Sequence, residues 1–95
     1  MNIQHSHHGT RGKFFVNENG QQDTAVMTYI DVDNSTILID HTEVDDVHKG
    51  KGIGAQLVKA AVDMAREKGL KIIPECPFAR SVFERKTEYA DVLAR

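Results

Sequence analysis

Short runs of apolar and β-branched residues alternate with turn-forming residues in the first half of the chain. The runs are residues 13–16, residues 25–32 and Thr36–Val44. Polar clusters at residues 17–20 and 33–35 separate them, and the Asn-Gly pair in the first cluster is a strong hairpin signal. Because short turns connect antiparallel neighbours, the pattern predicts three antiparallel strands.

The second half of the chain changes to helical spacing. Apolar residues recur three or four positions apart at Ile53, Leu57, Val58, Ala61 and Ala65. This spacing predicts an amphipathic helix that ends at Gly69. Residues 70–73 predict a fourth strand, which a right-handed crossover would place parallel to the third. Residues 78–86 predict a shorter second helix after Pro77, and residues 89–95 are compatible with further helix.

Three glycines alternate with other residues where the first helix is expected to begin. They are Gly50, Gly52 and Gly54, and two lysines, Lys49 and Lys51, accompany them. Glycine lets a ligand approach the backbone closely, and the free N–H groups of a helix N-terminus attract phosphate. The stretch therefore predicts a pyrophosphate-binding loop. The alternative is a glycine-rich turn before an ordinary surface helix.

Length and composition are those of one small globular domain. The chain has 95 residues, 40% of them hydrophobic and 27% charged. We expect a flexible N-terminal arm at residues 1–10 and a single domain at residues 11–95. His5, His7 and His8 lie in this arm without a nearby cysteine or carboxylate, so no metal site is predicted.

Charge and residue content also narrow the partners and the compartment. The net charge of −2 argues against a general nucleic-acid binder. No apolar run is long enough to span a membrane, and the N-terminus lacks the apolar core of a signal peptide. The single cysteine fits a reducing compartment, so a cytoplasmic protein is expected.

Two families share the glycine pattern. Residues 50–55 fit the dinucleotide fingerprint G-x-G-x-x-G/A, and Glu75 follows the next predicted strand, as an acidic ribose partner would. However, five residues separate Val44 from Gly50, the preceding strands look antiparallel, and too little chain follows for a doubly wound sheet. Binding of NAD by such a unit is therefore the weaker alternative.

The stronger resemblance is to the GNAT superfamily of N-acetyltransferases. Residues 49–54 match its acetyl-CoA motif Q/R-x-x-G-x-G/A with Lys49 in the first slot, and residues 76–85 align with its later block N-x-x-A-x-x-x-Y-E-K. Cys76 stands in the Asn slot and Phe83 in the slot of the general-acid Tyr. The chain resembles the small subfamily with a Pro-x-Cys-Pro segment.

The resemblance implies a truncated α/β (α+β) fold: antiparallel strands, a β-α-β crossover and a short C-terminal helix. It also implies a fourth family strand, here Thr36–Val44, that offers backbone groups to the pantetheine arm, and a gap between that strand and the next. Acetyl-CoA is the implied cofactor. Its implied binding residues are Val44, Lys49, Gly50, Lys51, Gly52, Ile53, Gly54, Ala55, Ala79 and Phe83.

Three residues are candidates for chemistry at the acetyl end. Acetyl transfer to an amine needs a base for the amine and an acid for the departing thiolate, and Phe83 cannot be that acid. Cys76 precedes a predicted helix and could act as a nucleophile, with His41 as its base. Glu43 should share a strand face with His41 and could orient it or act as a base itself. The alternatives are a small buried cysteine and a locally bonded strand histidine.

The sequence thus predicts an acetyl-CoA-dependent N-acetyltransferase that acts on an unidentified amine or protein acceptor, possibly through Cys76. The alternative is a non-catalytic module that binds or senses acyl-CoA. The lack of the family's two final strands, which normally wall the acceptor site, favours this alternative. Neither a metal, a nucleic acid nor a membrane is expected as a partner.

Overall fold

A computed structural model describes residues 2–18, 21–46 and 49–94. One sheet contains five strands in chain order: β1 Gln4–His8, β2 Arg11–Glu18, β3 Gln21–Asp33, β4 Thr36–Val44 and β5 Lys71–Pro74. The first four are antiparallel, whereas β4 and β5 are parallel. Helix α1, Ile53–Lys68, connects β4 to β5, and helix α2, Pro77–Arg85, and a 3₁₀ turn, Thr87–Val92, follow. The predicted mixed fold with its crossover helix is confirmed.

Strand β1 lies where the sequence led us to expect a flexible polar arm. It pairs with β2 along its whole length, from Gln4 opposite Phe15 to His8 opposite Arg11. His5 stacks on Phe14 with ring centroids 4.3 Å apart and hydrogen-bonds the Tyr29 hydroxyl at 2.5 Å. A polar strand is held here because aromatic residues of β2 and β3, Phe14 and Tyr29, contact its inward-facing His5. The Asn-Gly turn expected between β2 and β3 lies outside the described residues, and these strands pair from Glu18 and Gln21 onwards.

The helices pack on one face of the sheet. The strand side chains buried beneath them are Phe14, Val16, Ala25, Met27, Tyr29, Ile37 and Ile39. The buried face of α1 is made of Leu57, Val58, Ala61, Val62 and Ala65, as the helical spacing predicted, with Ile53 at its start. Helix α1 ends at Gly69, which has φ 71° and whose N–H bonds the carbonyl of Ala65. No helix of the described chain has the length and apolar character needed to cross a membrane.

Strand β4 extends beyond its parallel neighbour. Pairing between β4 and β5 ends with Ile39 opposite Pro74, whereas β4 runs on to Val44. The chain turns away there, and the N–H groups of Glu75 and Cys76 both bond the carbonyl of Ile39 at 3.0 Å. The gap expected between these strands is present beyond Ile39.

A β-bulge in β4 determines which side chains face the helices. Thr28 of β3 pairs with His41, and Tyr29 pairs with Ile39, so Asp40 is an extra residue between them. The Asp40 carboxylate accepts hydrogen bonds from Thr28 Oγ1 at 2.7 Å and from Arg11 at 3.1 Å. Because side chains alternate along a strand, one extra residue exchanges the two faces for the rest of β4.

Candidate functional site

The glycine loop enters α1 in a conformation that needs glycine. Gly50 has φ 82° and Gly52, the N-cap residue, has φ 78°. Side chains are strained at such angles, although a Cβ at either position would meet no atom within 4 Å. Among the described residues, no side chain caps the helix, and its first turn has no acidic residue. The loop therefore presents an uncapped, positively polarised helix end to open space, which suits an anion.

A cleft of about 420 Å³ lies between this loop, the end of β4 and α2. Its lining residues are Thr42, Val44, Lys49, Gly50, Gly52, Ile53, Gly54, Ala55, Phe78 and Arg85. Seven of the residues expected to bind the cofactor are thus brought together: Val44, Lys49, Gly50, Gly52, Ile53, Gly54 and Ala55.

The remaining expected binding residues lie elsewhere. Lys51 is exposed and is not among the residues that line the cleft. Ala79 is fully buried in the core, and Phe83 is buried with its ring 5.9 Å from that of Tyr89. These two side chains support α2 from inside, because they lie on its core-facing side. The structure therefore gives them a packing role.

Phe78 and Arg85 were missed by the sequence reasoning, although both line the cleft from α2. Phe78 is 38% exposed, and its ring covers Gly54: a Cβ added to Gly54 would lie 2.6 Å from Phe78 Cζ. Gly54 is therefore required for close approach of the two helices rather than for a special backbone angle. Their spacing could have indicated this, because residues seven apart on one helix lie on the same face.

The local charges of the cleft are partly compensated. Lys49 Nζ lies 3.1 Å from the Asp46 carboxylate, an exposed pair that contributes little to stability. Lys49 can therefore exchange this partner for a phosphate at small cost. A second cavity, of about 340 Å³, adjoins the cleft and shares Thr42, Val44 and Lys49 with it, and Glu43 and Asp45 complete its lining.

Cys76 is the N-cap residue of α2 and is 5% exposed. Its sulfur accepts a hydrogen bond from the Ala79 N–H at 3.3 Å and lies 3.2 Å from Thr42 Oγ1. Pro77 occupies the first helical turn, as predicted. The thiol is therefore held at the start of α2 and tied to β4 across the gap that follows Ile39.

The expected pairing of His41 with Cys76 is not found. Residues opposite each other in an antiparallel pair share a face, and Thr42 lies opposite the buried Met27. His41 lies opposite Thr28 and therefore faces away from the helices. Regular alternation from Ile37 and Ile39 would have placed His41 on the inner face, but the bulge at Asp40 reverses this.

His41 and Glu43 do lie together, as the sequence suggested. His41 Nε2 is 3.1 Å from Glu43 Oε1, with side chains 57% and 70% exposed. The pair lies on the open face of the sheet, on the opposite side of β4 from the cleft. Such a pair, an imidazole oriented by a carboxylate, is suited to accept a proton from an incoming amine.

A cavity of about 450 Å³ near the other end of β4 contains none of the predicted site residues. It is lined by side chains such as His5, Tyr29 and Lys68. Within the described ranges, no three His, Cys, Asp or Glu side chains are grouped so that they could hold a metal ion.

The fold and the cleft define an α/β protein with a glycine loop at a helix N-terminus, beside an opened strand pair. Residues 13–92 match the model of the GCN5-related N-acetyltransferase family. Protein NATD1 of Xenopus tropicalis is 40% identical over 74 residues, which cover 78% of this chain and 68% of that protein. The chain therefore belongs to the GCN5-related N-acetyltransferase family.

Solved structures agree with this assignment. A GCN5-like protein from Staphylococcus aureus, solved in solution by NMR, is 40% identical with a TM-score of 0.72, and the match covers 98% of this chain and 89% of that one. The ribosomal-protein-alanine N-acetyltransferase of Brucella melitensis biovar Abortus 2308 is 21% identical with a TM-score of 0.64, and the match covers 83% and 62% of the two chains. This second similarity concerns the fold alone.

Proposed function

We propose that this protein binds acetyl-CoA in the cleft and transfers the acetyl group to an amine. The observation that carries the proposal is the uncapped N-terminus of α1, which opens into a 420 Å³ cleft beside the free end of β4. When bound there, acetyl-CoA supplies an activated acetyl group. The N–H groups of residues 52–55, which line the cleft, would hold the pyrophosphate, with Lys49 as its counter-charge.

The acceptor amine would approach from the other side of β4. Glu43 and His41 face that side and take the proton that the amine loses when it attacks. Glu43 also lines the cavity that adjoins the cleft, and we assign this cavity to the acceptor. In this proposal the amine reaches the acetyl carbon through the cavity that Glu43 shares with the cleft residues Thr42, Val44 and Lys49.

Substitution of Gly52 tests the binding step. Gly52→Val places a branched side chain at the loop, and Gly69→Val is a matched control at the other end of α1. Both glycines have positive φ, 78° and 71°, and a Cβ added to either one would meet no atom within 4 Å. Each variant therefore carries a similar backbone strain, on the order of 1–2 kcal/mol. Of the two, Gly52 alone lines the cleft.

Binding of acetyl-CoA is measured by calorimetry. The affinity of Gly52→Val should be at least about tenfold lower than that of the wild type, which corresponds to about 1.4 kcal/mol of binding free energy. The affinity of Gly69→Val should be unchanged. Equal affinities for both variants would remove the loop from the site. Preferential binding of NAD would favour a dinucleotide-binding protein instead. If acetyl-CoA binds but a screen of amines yields no acetylated product by mass spectrometry, a binding or sensing module is the better description.

A further inference from the structure

The cavity of about 450 Å³ near the other end of β4 takes no part in the proposed function. It shares no residue with the cleft or with the cavity that adjoins the cleft. Residues of β1, of β3 and the turn after it, and of the C-terminal part of α1 line it. Its volume falls in the range of pockets that hold small organic molecules, roughly 300–1,000 Å³. It is therefore a second ligand-sized space, separate from the one assigned to acetyl-CoA.

The polar wall of this cavity is formed by side chains that meet across β2. Gly12 of β2 pairs with His7 of β1 on one side and with Tyr29 of β3 on the other. Because Gly12 has no side chain, the Tyr29 ring lies over it, and a Cβ there would overlap the ring. The Tyr29 hydroxyl therefore reaches His5 Nε2 at 2.5 Å, and His7 Nε2 lies 2.7 Å from Asp31 Oδ2. These two bonds hold four polar side chains in place at one wall.

The floor of the cavity is apolar and continuous with the core. It consists of Ile37, which is buried, and of Met64 and Leu70, which are partly buried and pack against the core. These three residues come from β4, from α1 and from the segment that follows α1. An apolar floor with a few polar groups at one wall is the usual lining of a site for a small organic molecule.

The two carboxylates that line the cavity are already bound. Asp31 is paired with His7. Asp33 accepts hydrogen bonds from the N–H of Ser35 at 2.8 Å and from its hydroxyl at 3.1 Å. A cationic ligand would have to displace one of these partners.

Lys68 provides the charge that remains available to a ligand. It lies in the last turn of α1, is exposed and lines the cavity. Within residues 2–18, 21–46 and 49–94, its ammonium group has neither an ion-pair partner nor a hydrogen-bond partner. Burial, followed by the charge of Lys68, lowers the pKa of His5. The ammonium group therefore acts on the same space as the His5 ring.

We propose that this cavity binds a small organic carboxylate, whose carboxylate group pairs with Lys68 and whose apolar body lies on the floor. Such a ligand matches the single unpaired charge, and it covers apolar side chains that otherwise face water. Because the cavity and the cleft have no residue in common, the site does not depend on the binding of acetyl-CoA.

Binding of hydrocinnamate to the full chain, followed by NMR of the methionine methyl groups, tests the proposal. This probe carries one carboxylate on an apolar body, and its ring shifts the resonances of nearby protons. Met64 lines the cavity, whereas Met27 is fully buried and does not. The Met64 signal should shift in a saturable way while the Met27 signal stays in place. A Met64 signal that does not shift would overturn the proposal.

Variants of Lys68 test the charge. Lys68→Met removes the charge, and Lys68→Arg keeps it. Lys59→Met is a matched control on the same helix, because Lys59 does not line the cavity and its exposed pair with Asp63 contributes little to stability. Lys68→Met should bind hydrocinnamate roughly fivefold more weakly, as expected for one ion pair at a partly open site, and the other two variants should bind it like the wild type.

An uncharged probe completes the test. Hydrocinnamyl alcohol has the same apolar body without the carboxylate, so it should bind more weakly than hydrocinnamate and equally to the wild type and Lys68→Met. Equal affinity of the wild type and Lys68→Met for hydrocinnamate would overturn the pairing with Lys68. An equal loss in Lys59→Met would do the same, because the effect would then follow from net charge alone.

Competition separates this site from the cleft. Saturating acetyl-CoA should leave the affinity for hydrocinnamate unchanged, and so should Gly52→Val. Displacement of hydrocinnamate by acetyl-CoA would place the probe in the cleft and overturn the second site. A protein that binds hydrocinnamate but no acetyl-CoA would overturn the proposed function and leave this inference intact.

Discussion

Gly54→Ala should separate the stability of the protein from its affinity for acetyl-CoA. The backbone of Gly54 is helical, so alanine fits the main chain, and alanine is favoured over glycine inside a helix by up to about 1 kcal/mol. The new Cβ would lie 2.6 Å from Phe78 Cζ and 2.8 Å from Cε2, which is too close. The ring must therefore move.

The cost of moving the ring is limited. Phe78 is already 38% exposed, so its displacement loses only part of the burial of a phenylalanine, on the order of 1–2 kcal/mol. The gain in helix propensity offsets much of this loss, so the free energy of unfolding should change by less than about 1 kcal/mol. The cleft loses its Phe78 wall, however, and we expect affinity for acetyl-CoA to fall by about tenfold.

A double-mutant cycle with Phe78→Ala tests whether the effect passes through the ring. Affinities are measured by calorimetry, and unfolding free energies by urea denaturation, for the two single variants and the double variant. If the ring transmits the effect, Gly54→Ala should have little further effect on affinity when Phe78 is absent. An equal loss of affinity in both backgrounds would refute the reasoning, because the added methyl group would then be acting on the ligand directly.

Two further predictions concern the aromatic end of the sheet. A Cβ at Gly12 would overlap the buried Tyr29 ring, so Gly12→Ala should lower the free energy of unfolding in urea by about 2 kcal/mol; an unchanged midpoint would contradict this packing. Burial, then the charges of Lys68 and His7, hold the pKa of His5 below the ordinary 6.5. As pH falls through 6.5, the unfolded chain therefore binds more protons than the folded chain, and the free energy of unfolding should decrease towards acid pH. His5→Gln should lessen that decrease. Identical profiles of unfolding free energy against pH for the variant and the wild type would exclude this role of His5.

The elements that the sequence predicted well are those set by local spacing. The helical stripe from Ile53 to Ala65 and the Gly69 terminus are properties of consecutive residues, so α1 could be predicted directly. Strand β1 could not, because His5 and its neighbours are polar and their partners, Phe14 and Tyr29, come from other strands. Strand β1 therefore forms because of contacts with other strands, although its own residues are polar.

The candidate site divides in the same way. The glycine loop is a local motif, and its residues other than Lys51 line one cleft, although their binding of a cofactor stays a prediction. The face of His41 depended instead on a register shift between β3 and β4. No local signal marks Asp40 as an extra residue, since its partners Thr28 and Arg11 lie on two other strands.

The bulge at Asp40 bears directly on the choice between direct and covalent transfer. It places Thr42 beside Cys76 on the cleft side, and it places His41 and Glu43 on the open side. His41 therefore cannot serve Cys76 from its present face, whereas it can serve an amine that arrives from outside the sheet. Direct transfer therefore requires the amine to reach the acetyl carbon past the end of β4, through the cavity that Glu43 shares with Thr42 and Val44. If Cys76 accepts the acetyl group first, the group must still pass β4 to reach the His41–Glu43 pair.

Addition of an amine to protein acetylated at Cys76 separates the two routes. If the acetylated Cys76 persists, it is a terminal product. If it disappears at the rate of amine acetylation, the gap beyond Ile39 lets the acetyl group pass.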